Sequence, residues 1–249
     1  MIRGHLIVFG CLSFIALPAA NFGQSPFDAK NPADAESLAP TVSVRELKIP
    51  EKARSAFRKG VQRFDRQDWG GSIGEFQRAI SAYSEFYEAY YKIGLAKLEL
   101  QLGGDAEAAF RKCIELSEGR FAPPMFGLGL ALANGNRFDD ALDFVHAGLN
   151  LEPTSARGYF ALAWVLYTAG RLVEAEQSAK QAVRYNPNLA MAHLLLAQVH
   201  RRQKDSAAMV EELDAFLRID PDSPRSRGIR AVRDEAAQGL RRTAAVLPE

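Results

Sequence analysis

Two histidines have the spacing at which side chains of one helix can share a metal ion. His193 and His200 are seven residues apart, so they lie on the same face of a helix. A closed zinc site takes three or four ligands, and no third ligand stands at a useful spacing from this pair. We therefore interpret both histidines as helix-packing residues and predict that the chain holds no metal.

Other patterns that carry chemistry are equally sparse. The sequence contains no Gly-rich phosphate loop and no His-Glu-x-x-His motif. The acidic pair Asp139 and Asp140 falls where a helix is predicted to begin, and the positive end of the helix dipole favours carboxylates there. We assign no catalytic residue and no cofactor, and we predict that the chain is not an enzyme.

The charge of the chain gives no argument for a nucleic-acid partner, because the net charge is only +1. Residues 225–249 contain six arginines and three acidic residues, a local net charge of +3. Asp234 and Glu235 interrupt this stretch, which favours a solvated helix face. Contact with an anionic surface, such as membrane headgroups or an acidic partner, is the alternative.

The first twenty residues have the pattern of a secretory signal peptide. Arg3 precedes an apolar run that extends from Leu6 to Ala20, 15 residues, whereas a bilayer-spanning helix needs about 20. We predict a signal peptide over 1–20, export to the periplasm or the cell exterior, and no transmembrane span in the mature chain. An uncleaved anchor is the alternative. Cleavage removes Cys11 and leaves Cys113, which we expect to be a buried, inert thiol.

Residues 21–50 are predicted to form a linker that ends in an extended segment. Residues 21–41 contain few large apolar side chains. Val42 and Val44, and then Leu47 and Ile49, alternate with polar residues, as in an extended chain. Pro50 suits the first turn of a helix that follows.

From residue 51 onward one pattern recurs with a period of 34 residues, with a single step of 35. Small residues mark the period at Gly60, Gly94, Gly129, Ala163 and Ala197. Each period contains two amphipathic helical segments, separated by breaks such as Gly103-Gly104-Asp105 and Ala169-Gly170-Arg171. The additional residue of the longer step is expected near 118–120. A fixed period of this length indicates stacked repeats.

The period divides residues 51–222 into five helix pairs. Their predicted limits are 51–85, 86–119, 121–154, 155–188 and 189–222. A capping helix is predicted over 223–243, followed by a tail over 244–249. The capping helix places Ile229, Val232 and Leu240 on one apolar face, as the last helix of a stack requires.

Each unit resembles the tetratricopeptide repeat (TPR) family, in which a bulky residue is followed by a large aliphatic residue and then a small one. Tyr90, Ile93 and Gly94 fit this pattern, and Pro153 and Pro187 fit the closing proline. Together with the leader, the chain is similar to exported, bacterial-type TPR proteins. The resemblance implies an all-α fold, a right-handed α-solenoid of five TPR helix pairs plus a C-terminal capping helix.

The resemblance also implies that the first helices of the pairs line a concave groove that binds a partner. By register, the candidate groove residues are Phe57, Tyr91, Leu95, Phe126, Leu130, Phe160, Trp164 and Tyr167. The Lys/Asn pattern with which chaperone-binding members hold a C-terminal carboxylate is missing, so an apolar or aromatic-bearing peptide is the expected ligand. The alternative is that these residues pack among themselves or beneath residues 42–49.

These observations predict a non-catalytic protein-interaction scaffold that binds a protein or peptide partner through its groove. Similar exported repeat proteins serve in the assembly of envelope machines, which suggests cell-envelope assembly by analogy. Two alternatives stay open. One is a self-association module that buries the groove between copies of the chain, and the other is a regulatory or delivery subunit of a separate enzyme complex.

Overall fold

The computed structural model describes residues 48–246. The predicted signal peptide (1–20), residues 21–47 of the predicted linker, and the end of the predicted tail (247–249) lie outside this range. Of the predicted extended segment, Lys48 and Ile49 fall inside it, and the Ile49 side chain is buried in the main core.

Eleven α-helices follow Pro50, and no strand occurs among residues 48–246. The helices are α1 (Glu51–Asp65), α2 (Trp69–Ala82), α3 (Tyr87–Glu99), α4 (Gly103–Leu116), α5 (Pro123–Asn134), α6 (Phe138–Leu151), α7 (Ala156–Thr168), α8 (Leu172–Tyr185), α9 (Ala190–Gln203), α10 (Ser206–Ile219) and α11 (Ser226–Val246). Helices of 12 to 15 residues, as α1 to α10 are, have marginal stability alone, so their stability must come from packing.

The helices stack as five consecutive pairs. Within each pair the two helices are in close contact, and the second helix also contacts the first helix of the next pair. From α3 to α9, each first helix also contacts the first helix of the pair that follows. The closing helix α11 packs on α10. The predicted all-α solenoid of five helix pairs with a capping helix is therefore confirmed for the described residues.

The turn inside each pair repeats one backbone conformation. A left-handed residue with φ between 59° and 80° recurs at Gln67, Gln101, Asn136, Gly170 and Lys204. The predicted break at Gly103-Gly104-Asp105 is wrong, because the left-handed Gln101 already reverses the chain and these three residues form the first turn of α4. The additional residue of the longer step was expected near 118–120, and in this turn both Glu118 and Gly119 have positive φ.

Small residues are the points of closest approach between the helices of a pair. A β-carbon on Gly60 would lie 2.5 Å from the ring of Phe76, and one on Gly94 would lie 2.5 Å from the ring of Phe110. Real β-carbons do not approach other atoms so closely, so each glycine makes room for the ring. The columns of small residues predicted from the sequence are thus helix contacts.

The buried side chains form two clusters that meet at α9. The main cluster extends from Ile49 to Val199. The second joins α9, α10 and α11 through Leu194, Ala197, Met209, Leu213, Phe216 and Ile229. On α11, Arg227 and Arg230 are exposed, which gives this helix the polar outer face predicted for a cap. Within residues 48–246, no helix combines the length and apolarity of a membrane span.

Candidate functional site

The eight candidate groove residues lie on first helices of the pairs, as their register predicted, but most are withdrawn from solvent. Tyr91, Leu95, Phe126, Leu130 and Phe160 have exposed fractions between 0% and 6%. Trp164 retains 9%, and Phe57 and Tyr167 are half-buried. Phe57 and Tyr167 are therefore the candidates that a partner can reach most easily, whereas Trp164 is a buried member of the main cluster.

Phe126 shows why a predicted groove residue is buried. A β-carbon on Gly148 of α6 would lie 2.5 Å from its ring, and one on Gly158 of α7 would lie 2.7 Å from it. The ring therefore fills the contact between the third pair and the fourth, and Phe126 belongs to the core rather than to an open lining. Glycines at both 148 and 158 are the feature of the sequence that could have indicated that the Phe126 ring is enclosed.

Tyr91 is covered in a similar way. Its ring lies 5.5 Å from the ring of Phe121 in an edge-on arrangement and 6.2 Å from the ring of Phe110. Phe121 precedes the first helix of the next pair, so adjacent repeats cover the position. For the buried residues, packing within the chain, the alternative considered from the sequence, describes the observed environment. Binding of a partner at the exposed positions stays a prediction.

An open cavity of about 640 Å³ lies where the first helices α3, α5 and α7 end. Its lining combines apolar side chains with amide, hydroxyl and charged groups: Leu98, Gln101, Glu107, Ala133, Asn134, Arg137, Trp164 and Thr168. Apolar walls with a few polar groups are typical of ligand sites. Of these residues, only Trp164 is among the eight sequence candidates; Leu98 and Ala133 share the register of Tyr167, and the polar residues of the lining lie in or near turns and at the starts of second helices.

The charged groups at the rim of this cavity are paired with one another. Arg137 donates to Glu107 at 3.0 Å and to Asp140 at 2.7 Å. Burial acts to raise the pKa of Glu107, but hydrogen bonds from Arg111 and Arg137 outweigh it and hold the pKa below its ordinary value. The rim therefore carries ionised, mutually compensated charges. The acidic residue Asp140 lies in the first turn of α6, as predicted.

Next to the cavity, the guanidinium group of Arg202 caps the carboxyl end of α7. Nη1 of Arg202 donates to the carbonyl oxygen of Tyr167 at 3.0 Å, and the guanidinium lies 5.0 Å from the centre of the Tyr167 ring. The arrangement combines a hydrogen bond to a helix carboxyl end with a cation–π contact. It leaves Tyr167 half-buried at the surface.

The two histidines make separate hydrogen bonds. His193 Nδ1 lies 2.7 Å from Glu212, and its Nε2 lies 3.1 Å from the carbonyl oxygen of Pro187. His200 Nδ1 lies 3.1 Å from the amide oxygen of Gln203. Among residues 48–246 no group of three potential metal ligands occurs. Both partners of His193 are acceptors, so both ring nitrogens donate when the ring is protonated.

We expect the His193 contact to give the protein a pH-dependent stability. The hydrogen bond to Glu212 raises the pKa of His193, and the Pro187 carbonyl acts in the same direction against burial. The contribution is thus complete below the unfolded pKa of about 6.5 and is lost as pH rises through the higher folded pKa. Glu212→Gln should lose about 1.5 kcal/mol of unfolding free energy at the acidic end of this window.

The measurement is the melting temperature of the wild type and of Glu212→Gln between about pH 5.5 and pH 9. The difference between them should be largest at the acidic end and should shrink as pH rises. Glu211→Gln, at the exposed neighbouring position, is the matched control and should follow the wild type. If the difference in melting temperature did not change with pH, the stabilising contact would not depend on protonation of His193.

Two further reactive groups are buried in helices. Residues 70–74 read Gly-Gly-Ser-Ile-Gly, the spacing of a nucleophile elbow, but they lie inside α2. Ser72 is fully buried, and its hydroxyl donates to the carbonyl oxygen of Trp69 at 2.8 Å, so the exposed strand–turn–helix that this motif requires is not formed. Cys113 is fully buried in α4, as predicted for an inert thiol.

The arginines of the closing helix are partly engaged within the chain. Arg233 donates to Asp214 of α10 at 2.7 Å, and Arg230 donates to the carbonyl oxygen of Pro221 at 2.8 Å. Arg225 is half-buried, and this burial lowers its pKa while the charges of Glu99 and Asp220 act to raise it. These contacts favour the solvated, structural face that the sequence suggested for this stretch.

Comparison with known proteins places this architecture among repeat proteins. Family models described as tetratricopeptide repeat match residues 87–120 and residues 160–224. Protein O-mannosyl-transferase TMTC1 of Homo sapiens is 24% identical over 135 residues, which are 53% of this chain. The match spans only 15% of the length of that protein.

Solved structures with the same fold come from several sources. The thermophilic TPR protein TTC0263 of Thermus thermophilus has a TM-score of 0.67 at 18% identity, over 75% of this chain and 99% of its own. PilF of Pseudomonas aeruginosa has a TM-score of 0.58 at 16% identity, over 79% and 94%. Yeast Tom70 has a TM-score of 0.60 at 15% identity, over 84% and 45%. Residues 87–120 and 160–224 therefore match tetratricopeptide repeats, and the described residues share the all-α stacked fold of solved TPR proteins.

Proposed function

We propose that the chain is a non-catalytic scaffold that binds a protein or peptide partner at the edge of its concave face. The observation that carries the proposal is the cavity of about 640 Å³ at the ends of α3, α5 and α7. Three successive repeats build it, so its shape depends on the stack and not on one flexible loop. TPR arrays are generally interaction scaffolds, which supports the same conclusion.

The accessible candidates concentrate the binding surface on the fourth pair. Trp164 lines the cavity, and the centre of the Tyr167 ring lies 6.2 Å from the centre of the Trp164 ring. Aromatic residues supply most of the binding energy in many interfaces. Phe57 lies apart from this surface, packed 4.8 Å from Phe86 in the first repeats. We therefore assign partner contact to Tyr167 and to the part of Trp164 that lines the cavity, and we assign packing to Tyr91, Leu95, Phe126, Leu130 and Phe160.

The leader-like sequence of residues 1–20 supports export, and we propose that the scaffold acts in the periplasm or outside the cell. Assembly of a cell-envelope machine is the specific role that we propose within that compartment. A second candidate is self-association. Leu240 of α11 favours self-association, because this large apolar side chain is 36% exposed. It lies on the same face of the helix as Ile229, which is buried.

Crosslinking followed by affinity capture from the envelope fraction of the source cells tests the scaffold function. We expect the wild type to capture a reproducible set of proteins, and a double variant Trp164→Ala, Tyr167→Ala to lose most of it. Val173→Ala is the control, because Val173 is 66% exposed on α8, away from the cavity lining. Equal capture by both variants would refute this surface, and a stable oligomer in light scattering would favour self-association.

A further inference from the structure

The contact between Arg202 and Tyr167 indicates what the neighbouring cavity can hold. The carbonyl oxygen of Tyr167 accepts two hydrogen bonds, from the backbone N–H of Gly170 at 3.1 Å and from Nη1 of Arg202 at 3.0 Å. The guanidinium also lies 5.0 Å from the centre of the Tyr167 ring. One arginine thus binds a helix carboxyl end and an aromatic face together.

The equivalent positions one repeat earlier lack both parts of this contact. A step of 34 residues replaces Tyr167 by Ala133 and Arg202 by Thr168. The carbonyl oxygen of Ala133 accepts the N–H of Asn136 at 3.0 Å, which corresponds to the Gly170 bond. Thr168 directs its hydroxyl back to its own helix, to the carbonyl oxygens of Trp164 and Val165, each at 2.9 Å. Position 168 therefore supplies no guanidinium to the carbonyl oxygen of Ala133, as Arg202 does to that of Tyr167.

The cavity lies at this place. Ala133 and Thr168 both line it, and its volume of about 640 Å³ falls within the range of about 300–1,000 Å³ that is typical of ligand sites. Trp164 forms part of its wall, and tryptophan is the aromatic side chain that binds cations best. The place that Arg202 occupies in the next repeat is therefore part of the cavity here, and the Trp164 ring forms part of the same cavity wall.

The charges around the cavity balance one another. The carboxyl ends of α3, α5 and α7, which bear partial negative charges, meet there beside the amino ends of α4 and α6, which bear partial positive charges. The one cationic side chain among the lining residues, Arg137, is bound by the carboxylates of Glu107 and Asp140. Its charge is therefore compensated at the rim and does not oppose a second cation.

We propose that this cavity binds an arginine side chain of a partner protein, with its guanidinium on the Trp164 indole and hydrogen-bonded to the Ala133 carbonyl. The inference rests on the proposed scaffold function and names the partner's chemistry. Arginine fits better than lysine, because its planar guanidinium stacks on aromatic rings and donates to a carbonyl at the same time. The Arg202–Tyr167 contact is the internal precedent for one guanidinium bound to a helix carboxyl end and an aromatic ring; there both groups belong to Tyr167, and here the ring is that of Trp164.

The test uses an array of blocked hexapeptides with one fixed arginine and the same array with citrulline, its neutral analogue. Binding of the full chain is measured by calorimetry. The Trp69→Phe variant adds a fluorescence signal from Trp164, since the chain contains two tryptophans. We expect saturable binding of arginine peptides, with citrulline peptides at least about tenfold weaker. Equal binding of the two arrays, or none to either, would overturn the arginine site.

A variant that rebuilds the internal contact inside the cavity separates binding from folding. Ala133→Tyr combined with Thr168→Arg reproduces the Tyr167–Arg202 pair one repeat earlier and should fill the cavity. We expect this variant to retain its helical circular dichroism and lose the arginine peptides, whereas Thr168→Ser, which retains the hydroxyl, should bind like the wild type. A filled variant that binds as the wild type does would refute the site. Capture of partners without any arginine preference would overturn this inference alone, while no capture at all would overturn the scaffold function.

Discussion

Replacement of Phe126 by alanine should lower the free energy of unfolding by about 3–5 kcal/mol, the cost of removing a large, fully buried ring. Phe126 is 1% exposed, and its ring occupies the space left by Gly148 and Gly158. These glycines offer no side chain that could move into the cavity, so little relaxation can offset the loss. Because the ring joins the third pair to the fourth, the effect should extend to both neighbours.

Thermal and urea unfolding followed by circular dichroism measure this effect. Tyr185→Ala is the control for the loss of an aromatic ring, because Tyr185 is 41% exposed and contacts Tyr159 by stacking at the surface. It should cost about 1 kcal/mol or less. Similar losses from both variants would mean that Phe126 does not join the two pairs, and its assignment to the core would then be wrong.

The second large effect is expected from Gly129→Leu, which should destabilise the protein by about 1–3 kcal/mol or more through overpacking. A β-carbon at this position would overlap a methyl group of Val145 and lie 3.2 Å from the backbone oxygen of Ala141. The backbone oxygen cannot move without displacing α6, so the leucine must push the two helices of the third pair apart.

Gly74→Leu is the matched control, because a β-carbon on Gly74 would meet no atom within 4 Å. Glycine is a poor helix former, so this change should leave the melting temperature unchanged or raise it slightly. The two variants differ only in the space available at the helix surface. If Gly129→Leu had the melting temperature of the wild type, the contact between α5 and α6 would have to be looser than the structure shows.

Much of the fold could be predicted from the sequence because it depends on local and periodic signals. The period of 34 residues determines which helices pair, and small residues such as Gly94 mark the contacts between them. The break at Gly103-Gly104-Asp105 was placed wrongly because glycine usually marks turns. Here Gln101 adopts the left-handed conformation instead, and the glycines begin α4.

The site was harder to predict, because exposure depends on how repeats rotate against each other. Register places Phe126 and Trp164 on corresponding faces of their helices, yet one is fully enclosed and the other lines a cavity. The difference arises from neighbours in other repeats, namely the two glycines that admit the Phe126 ring and the small Ala133 beside Trp164. A pattern within one repeat contains no information on these partners.

The division of the buried side chains at α9 has a consequence for the dynamics of the molecule. Leu195 and Leu196 of this helix belong to the main cluster, whereas Leu194 and Ala197 belong to the second, so both clusters contact α9, and the half-buried Met191 packs against each. We expect α10 and α11, which bury their apolar side chains in the second cluster at the end of the stack, to open locally before the four preceding pairs. Arg202 lies on α9, so its contact with Tyr167 should stay formed when α10 and α11 open.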